Sequence, residues 1–470
     1  MGFTTINPAT GEVTGEFPEM TAAQVDAALQ ASAAAFSDWR RVPLGERLAA
    51  LRRAGALLRD RGGALARLMA LEMGKPVTAG RSEAEKCAWV CDYYADHAAG
   101  FLADIPVEVD GGCARVVVRP LGPILAVMPW NFPLWQFFRV FAPTIAAGNS
   151  VLLKHASNVP GCAFAIADLV RSAGFPSELL QVLMIPGARV ADVVRDPRVA
   201  AVTLTGSDPA GRSVAQAAGE VLKKVVLELG GSDPYVILED ADVLDAARIC
   251  ATSRMVNGGQ TCIAAKRMIV VDAVHDLFLD GLVSQMARWS PGDPFAKETR
   301  LGPMARRDLR DELHGQVRAS IVAGARCVLG GELPEGPGAY YPPTVLADVG
   351  PGMPVYHEET FGPVAAVIRA RDAADAVRIA NDTPFGLGAA VFTGDQERGR
   401  WIATEELDAG CCFVNDFVRS DPRLPFGGVK GSGYGRELGP WGIREFVNVK
   451  TVWEVASRSS PSCPATSGSD

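Results

Sequence analysis

The chain reads as an α/β protein built on parallel sheets, and three observations predict this. From about residue 123 onward, short apolar runs alternate with amphipathic runs of about 10–15 residues, the pattern of βαβ units. A lone carboxylate, Glu228, closes the apolar run Val225–Leu227 just before Gly230-Gly231. A cysteine, Cys262, stands in the glycine-rich stretch Asn257-Gly-Gly-Gln-Thr-Cys262, between a helical run and an apolar one. Ligands bind at the carboxyl ends of strands in such folds, so the last two observations also place a site.

Thr21-Ala-Ala-Gln24 has the spacing of a capping box, and Val25, Ala28, Leu29, Ala33, Phe36 and Trp39 follow at helical period. Helical patterns also cover residues 45–73, with a bend at Gly62-Gly63, and 81–101. Two short strands are expected at 115–119 and 123–128, across the turn Pro120-Leu121-Gly122. Alternation then predicts strands at 150–154, 180–184, 200–205 and 224–229, with helices at 134–147, 160–173, 189–195 and 210–220 between them. A second α/β segment starts with a strand at 235–238, a helix at 246–255 and a strand at 266–271, and continues to about residue 436. The stretch 457–470 is rich in Ser, Pro and Gly and is expected to be a disordered tail.

A length of 470 residues allows two or three domains, and 48% apolar with 21% charged residues is a globular balance. The net charge of −8, without a basic block, excludes a nucleic-acid footprint. The first residues carry no signal-peptide pattern, and no apolar run is long enough to span a bilayer, so no membrane association is expected and a cytoplasmic location is. Ten cysteines are too sparse for a disulfide scaffold, and no Cys/His spacing suggests a metal site.

Cys262 is a candidate nucleophile, because a thiol in a glycine-rich loop is approachable in a way the cysteines of apolar helices and strands are not. Glu228 at a sheet edge is a candidate general base whose burial should raise its pKa; a carboxylate satisfied by nearby amides is the competing reading. Thr205-Gly206-Ser207 joins a strand to a helix, where backbone amides can hold a pyrophosphate, although the G-x-G-x-x-G fingerprint is absent. Lys154-His-Ala-Ser157 suits either a ribose or a 2′-phosphate, or is simply a solvated strand end.

The series Pro129-Trp-Asn-Phe-Pro133, Lys154, Gly206-Ser207, Glu228-Leu-Gly-Gly231, Gly259-Gln-Thr-Cys262, Glu359-Thr-Phe-Gly-Pro363 and Pro425-Phe-Gly-Gly428 resembles the aldehyde dehydrogenase superfamily over residues 6–453. The resemblance implies a Rossmann-like cofactor domain (1–113 and 131–229), an α/β catalytic domain (230–436) and a small β oligomerisation element (114–130 and 437–456), and so a homodimer or homotetramer. It implies that Cys262 attacks the aldehyde, that Asn131 and the Cys262 backbone amide hold the oxyanion, and that Glu228 activates water for thioester hydrolysis. The implied cofactor ligands are Trp130, Lys154, His155, Ala156, Ser157, Gly206, Ser207, Leu229, Glu359 and Phe361. NAD-preferring relatives often carry a carboxylate where Ser157 stands, so NADP is expected, with NAD possible.

Lys154–Asn158, Leu227–Pro234 and Ala264–Arg267 most resemble the bacterial succinate-semialdehyde dehydrogenase branch, which implies a small aldehyde with a distal carboxylate. Arg139 and Ser420 are the candidates to bind that carboxylate; a structural ion pair is the alternative for Arg139. Val256 departs from those branch members that carry a second arginine or another polar residue there, and Cys411-Cys412 replaces a non-cysteine apolar pair. A broad-specificity aliphatic or aromatic aldehyde dehydrogenase is the competing reading. A catalytically silent binding relative would have lost Cys262 or Glu228, and a coenzyme A-dependent acylating enzyme would commonly lack the glutamate.

Overall fold

The computed structural model describes residues 2–110 and 112–455 and arranges them around two large sheets. The first sheet has six strands in the order Gly433–Tyr434, Lys224–Glu228, Ala201–Thr205, Pro123–Met128, Ser150–His155 and Leu180–Val182. All its pairings are parallel except that of Gly433–Tyr434 with the end of Lys224–Glu228. Ala201–Thr205 is buried at every position, as expected of a strand covered by helices on both faces. Those helices are Trp135–Ala147, Pro160–Ser172, Val190–Arg195 and Asp208–Glu220, each within a few residues of its sequence expectation.

The second sheet has seven strands, ordered Arg326–Leu329, Thr344–Ala347, Val364–Ala370, Arg267–Val271, Pro234–Ile237, Gly388–Phe392 and Cys411–Val414. Only the first pair is antiparallel. Val243–Met255 and His275–Met286 pack on it around Phe278 and Leu282. A separate three-stranded antiparallel sheet, Val447–Val455, Gly112–Pro120 and Ile105–Val109, exposes Ile105, Val107, Val449 and Trp453.

The capping box at Thr21 forms, with the Thr21 hydroxyl accepting from the Gln24 amide and Gln24 closing back on the Thr21 amide. The helical tract 45–73 breaks at the expected place, into Leu44–Asp60 and Gly62–Met73. Three boundaries differ from expectation. Pro123–Met128, expected in the oligomerisation element, is a central strand of the six-stranded sheet, because its near-continuous apolar run demands cover on both faces. Ile105–Val109, expected in the cofactor domain, joins the three-stranded sheet instead. Gly433–Tyr434, expected in the catalytic domain, adds an edge to the cofactor-side sheet. The tail expected over 457–470 lies outside the described residues.

Candidate active site

Cys262 lies where two cavities meet; it and Gln136 line both. One cavity runs over the carboxyl edge of the six-stranded sheet and is walled by Trp130, Gly206, Ser207, Leu229, Glu359 and Phe361. The other, about 410 Å³, is walled by aromatic residues and by a set of cations described below.

Backbone geometry aims the thiol. Val243–Met255 ends at three successive left-handed residues, Asn257, Gly258 and Gly259, which turn the chain toward the cavities. A Cβ on Gly259 would sit 2.1 Å from the Gly362 carbonyl oxygen, so only glycine fits there. The fully buried Arg254 donates to the Gly259 carbonyl at 2.5 Å, tying the helix end to the loop. Lys266 donates to the Thr261 carbonyl at 3.0 Å, the Cys262 carbonyl at 2.7 Å and the Glu359 carboxylate at 2.9 Å. Cys262 is half-buried, and burial pushes its thiol up to about 12, partly offset by Lys266 and Arg139. The resting side chain is therefore a neutral thiol near pH 7, and acting as a nucleophile would require a base.

Asn131 faces the same point from the other sheet. Its side-chain amide donates to the Gln260 carbonyl at 3.1 Å, and its own carbonyl accepts from Lys75 (2.9 Å) and the Asn257 amide (2.8 Å). Lys75 is ion-paired in the interior with Glu83, whose carboxylate also accepts from the Leu134 and Trp135 amides at the start of the next helix. Among the described residues the Cys262 backbone amide has no partner within the protein. A fixed side-chain amide and a free backbone N–H beside a thiol are the donors an oxyanion needs. Asn131→Ala is expected to lower kcat on the order of 100-fold while leaving NADP affinity unchanged, measured by steady-state kinetics and equilibrium titration.

Glu228 ends its strand with both carboxyl oxygens buried and unpartnered, one of them close against Gly427. Burial, then the neighbouring Glu437 carboxylate, push its pKa well up, while Arg139 and Arg436 act the other way. Its protonated form is favoured, and it is not the amide-satisfied carboxylate of the competing reading. It lines neither cavity in this conformation, although its charge acts on Cys262.

The expected cofactor residues divide. Trp130 meets Phe361 edge-on, with ring centroids 5.7 Å apart. Glu359 accepts from the Gly231 amide at 3.1 Å, and a Cβ on Gly230 would strike its other oxygen at 2.4 Å. Lys154 is half-buried, has its pKa lowered by that burial, and its ammonium forms no ion pair or hydrogen bond with the described residues. Ser157 is exposed and lines a different groove, with Asn158 and Arg306. His155, also expected among them, turns its ring inward. Its ring bonds the Pro133 carbonyl at 2.9 Å and accepts from the Ala156 amide at 2.9 Å, and burial brings its pKa down to about 4. It steadies the Asn131 loop from inside, and the half-buried Ala156 packs beside the same core.

Arg139, a candidate for the substrate carboxylate, is buried. It lines the second cavity as expected, but its guanidinium is ion-paired with buried Glu437 and donates to the Thr205 hydroxyl at 3.2 Å. Its charge is matched, which favours the structural alternative. Ser420 lines the same cavity, and its hydroxyl accepts from Lys86 at 2.8 Å. Lys75, Glu83, Lys86, Arg254, Lys266 and Glu437 escaped the sequence reading. They sit within helices or loops without a local motif, and only helical spacing, as of Glu83 and Lys86, marks some of them.

A cysteine beside amide donors, at the carboxyl edge of a doubly covered parallel sheet, is an arrangement that suits covalent chemistry next to a bound dinucleotide. The chain belongs to the aldehyde dehydrogenase family, whose model matches residues 1–452. It is 48% identical over 449 residues, 96% of this chain and 97% of the relative, to the Escherichia coli protein named succinate semialdehyde dehydrogenase, NAD(P)+. It is 47% identical over 453 residues, 96% of this chain and all of the relative, to a Synechocystis protein named probable succinate-semialdehyde dehydrogenase, NADP(+). The structure matches that of succinic semialdehyde dehydrogenase from Streptococcus pyogenes in complex with NADP+ at a TM-score of 0.94 and 38% identity, covering 97% of this chain and 100% of that one.

Proposed function

We propose that the protein oxidises succinic semialdehyde to succinate with NADP+, through a thiohemiacetal and then a thioester on Cys262. The observation that carries this reading is the position of Cys262 at the meeting of a cleft over the carboxyl edge of a parallel sheet and a cation-lined cavity. The names of the relatives support the substrate and cofactor. The Cys262 sulfur adds to the aldehyde carbon, and Asn131 with the Cys262 amide takes up the oxygen's charge. Trp130, Leu229 and Phe361 would hold oxidised nicotinamide, which would take the hydride leaving the aldehyde carbon as the thioester forms. Glu228 then removes a proton from the water that cleaves the thioester, releasing the acid and the free thiol.

Two residues, at the end of the strand Ser150–His155 and just beyond it, suit NADP. Lys154 has no acidic partner among the described residues, and Ser157 offers a hydroxyl where a carboxylate would repel a 2′-phosphate. The apolar face of the three-stranded sheet, Ile105, Val107, Val449 and Trp453, supports assembly as a homodimer or a pair of dimers. No helix among the described residues is long and apolar enough to cross a membrane. The need for a free thiol at Cys262 fits the reducing cytoplasm.

Initial rates of succinic semialdehyde, glutaric semialdehyde, benzaldehyde and hexanal with each cofactor test the reading. The expected result is the highest kcat/KM for succinic semialdehyde with NADP+; a preference for hexanal or benzaldehyde would favour the broad-specificity alternative. Ser157→Glu is expected to lower kcat/KM for NADP+ about tenfold or more, with little loss for NAD+. A clear NAD+ preference in the unaltered enzyme would reject the cofactor assignment.

A further inference from the structure

The charges around the second cavity do not balance. It is lined by Lys75, Lys86, Arg139, Arg300 and Arg419 against one acid, Glu83. Three of these cations are matched: Lys75 by Glu83, Arg139 by Glu437 and Arg419 by Asp416. Lys86 and Arg300 have no ion pair among the described residues. Arg300 is exposed at the rim, its guanidinium 3.9 Å from the Trp289 ring centroid. Lys86 is far more buried, its ammonium 4.3 Å from the Trp135 ring centroid and bonded to the Ser420 hydroxyl.

We infer that Lys86 and Ser420 together form the receptor for the substrate's distal carboxylate, with Arg300 drawing the anion in at the rim; this rests on the anionic-aldehyde reading above. An ammonium has three donors, and one goes to Ser420. Because Ser420 accepts that bond, its own hydrogen remains to donate. Lys86 and Ser420 thus present donors from two different chain segments, the helix Val77–Phe101 and the loop before Pro425, toward one apolar-walled space. A desolvated cation without an acid is costly to keep, and an incoming carboxylate relieves that cost. A neutral aldehyde cannot. Val256 lines the same cavity, so the cation that could have come from its loop comes from the helix instead.

Burial, and then Arg139, bring Lys86 down to about 8. The other charged or titratable groups acting on it are Cys87, Glu83 and Asp421, the last two paired with Lys75 and Arg423. The charged form exists below that pKa and is lost as pH rises through it, so affinity for the anionic substrate should fall above about pH 8.

The test compares Lys86→Met and Lys86→Arg on succinic semialdehyde and hexanal, with NADP+ saturating. Lys86→Met is expected to raise KM for succinic semialdehyde about tenfold or more, with kcat within roughly threefold and hexanal KM little moved. Lys86→Arg should restore most of the affinity. In the unaltered enzyme the ratio of kcat/KM values for the two substrates should fall above about pH 8, and Lys86→Met should flatten that fall. Equal losses on both aldehydes, or an unchanged KM for succinic semialdehyde, would overturn the assignment. Should Lys86→Met fail to fold, Ser420→Ala and the native pH ratio decide: no rise in KM and no alkaline fall would overturn it equally. If the unaltered enzyme itself prefers hexanal, the substrate reading fails; if it prefers the acid but ignores position 86, only the receptor does.

Discussion

Replacing Cys262 with alanine is expected to lower kcat by about 10⁴-fold or more, without loss of NADP+ binding. No other described cysteine lies where the two cavities meet, so nothing can substitute as the nucleophile. The cofactor wall of Trp130, Glu359 and Phe361 is built independently of the sulfur. Initial rates and an equilibrium NADP+ titration check the two halves of this expectation. A pH effect accompanies it. Because burial holds the Cys262 thiol up at about 12, its thiolate fraction grows with pH throughout the working range. Alkylation of the free enzyme by iodoacetamide should therefore accelerate from pH 6 to 9 without a plateau, a rise that the alanine variant lacks at this site.

Glu228→Gln is expected to lower kcat on the order of 100- to 1,000-fold and to change which step limits turnover. Glutamine nearly preserves the volume of this carboxyl and adds no charge to a site whose burial already disfavours one, so the fold should survive. Rapid mixing should show a burst of NADPH formation followed by a slow steady state, because the thioester forms but is not hydrolysed. The sign of the pH dependence follows from the raised pKa. Burial and Glu437 raise the Glu228 pKa, so the protonated form is favoured and the base form grows as pH rises. The unaltered enzyme should gain hydrolysis rate with pH, and the glutamine variant should lose that gain. A variant that lost the burst instead would place Glu228 in thiol activation.

Both expectations concern residues already visible in the sequence, and the reason is local. Glu228 closes an apolar strand before two glycines, and Cys262 follows a turn that needs left-handed backbone, so each carries its own signal within a few residues. The βαβ alternation behaved alike: Ala201–Thr205 and Lys224–Glu228 fall within a residue of expectation because their apolar runs end sharply. Pro123–Met128 was misplaced because a short apolar run shows that a strand is buried but not in which sheet. Arg139 illustrates the other limit. Its motif neighbourhood suggested a free carboxylate receptor, yet Glu437, almost 300 positions away, takes its charge. Lys86 had no motif at all, and its role rests on an absent partner, which only the packed chain reveals.

Mass spectrometry of the acyl-enzyme tests the central claim most directly. Glu228→Gln, mixed with succinic semialdehyde and NADP+ and quenched in acid, should carry one succinyl group on the peptide that contains Cys262. The adduct should have the mass of the oxidised thioester and be absent when NADP+ is left out. No adduct, an adduct formed without NADP+, or modification of Cys411 or Cys412 in place of Cys262 would contradict the account.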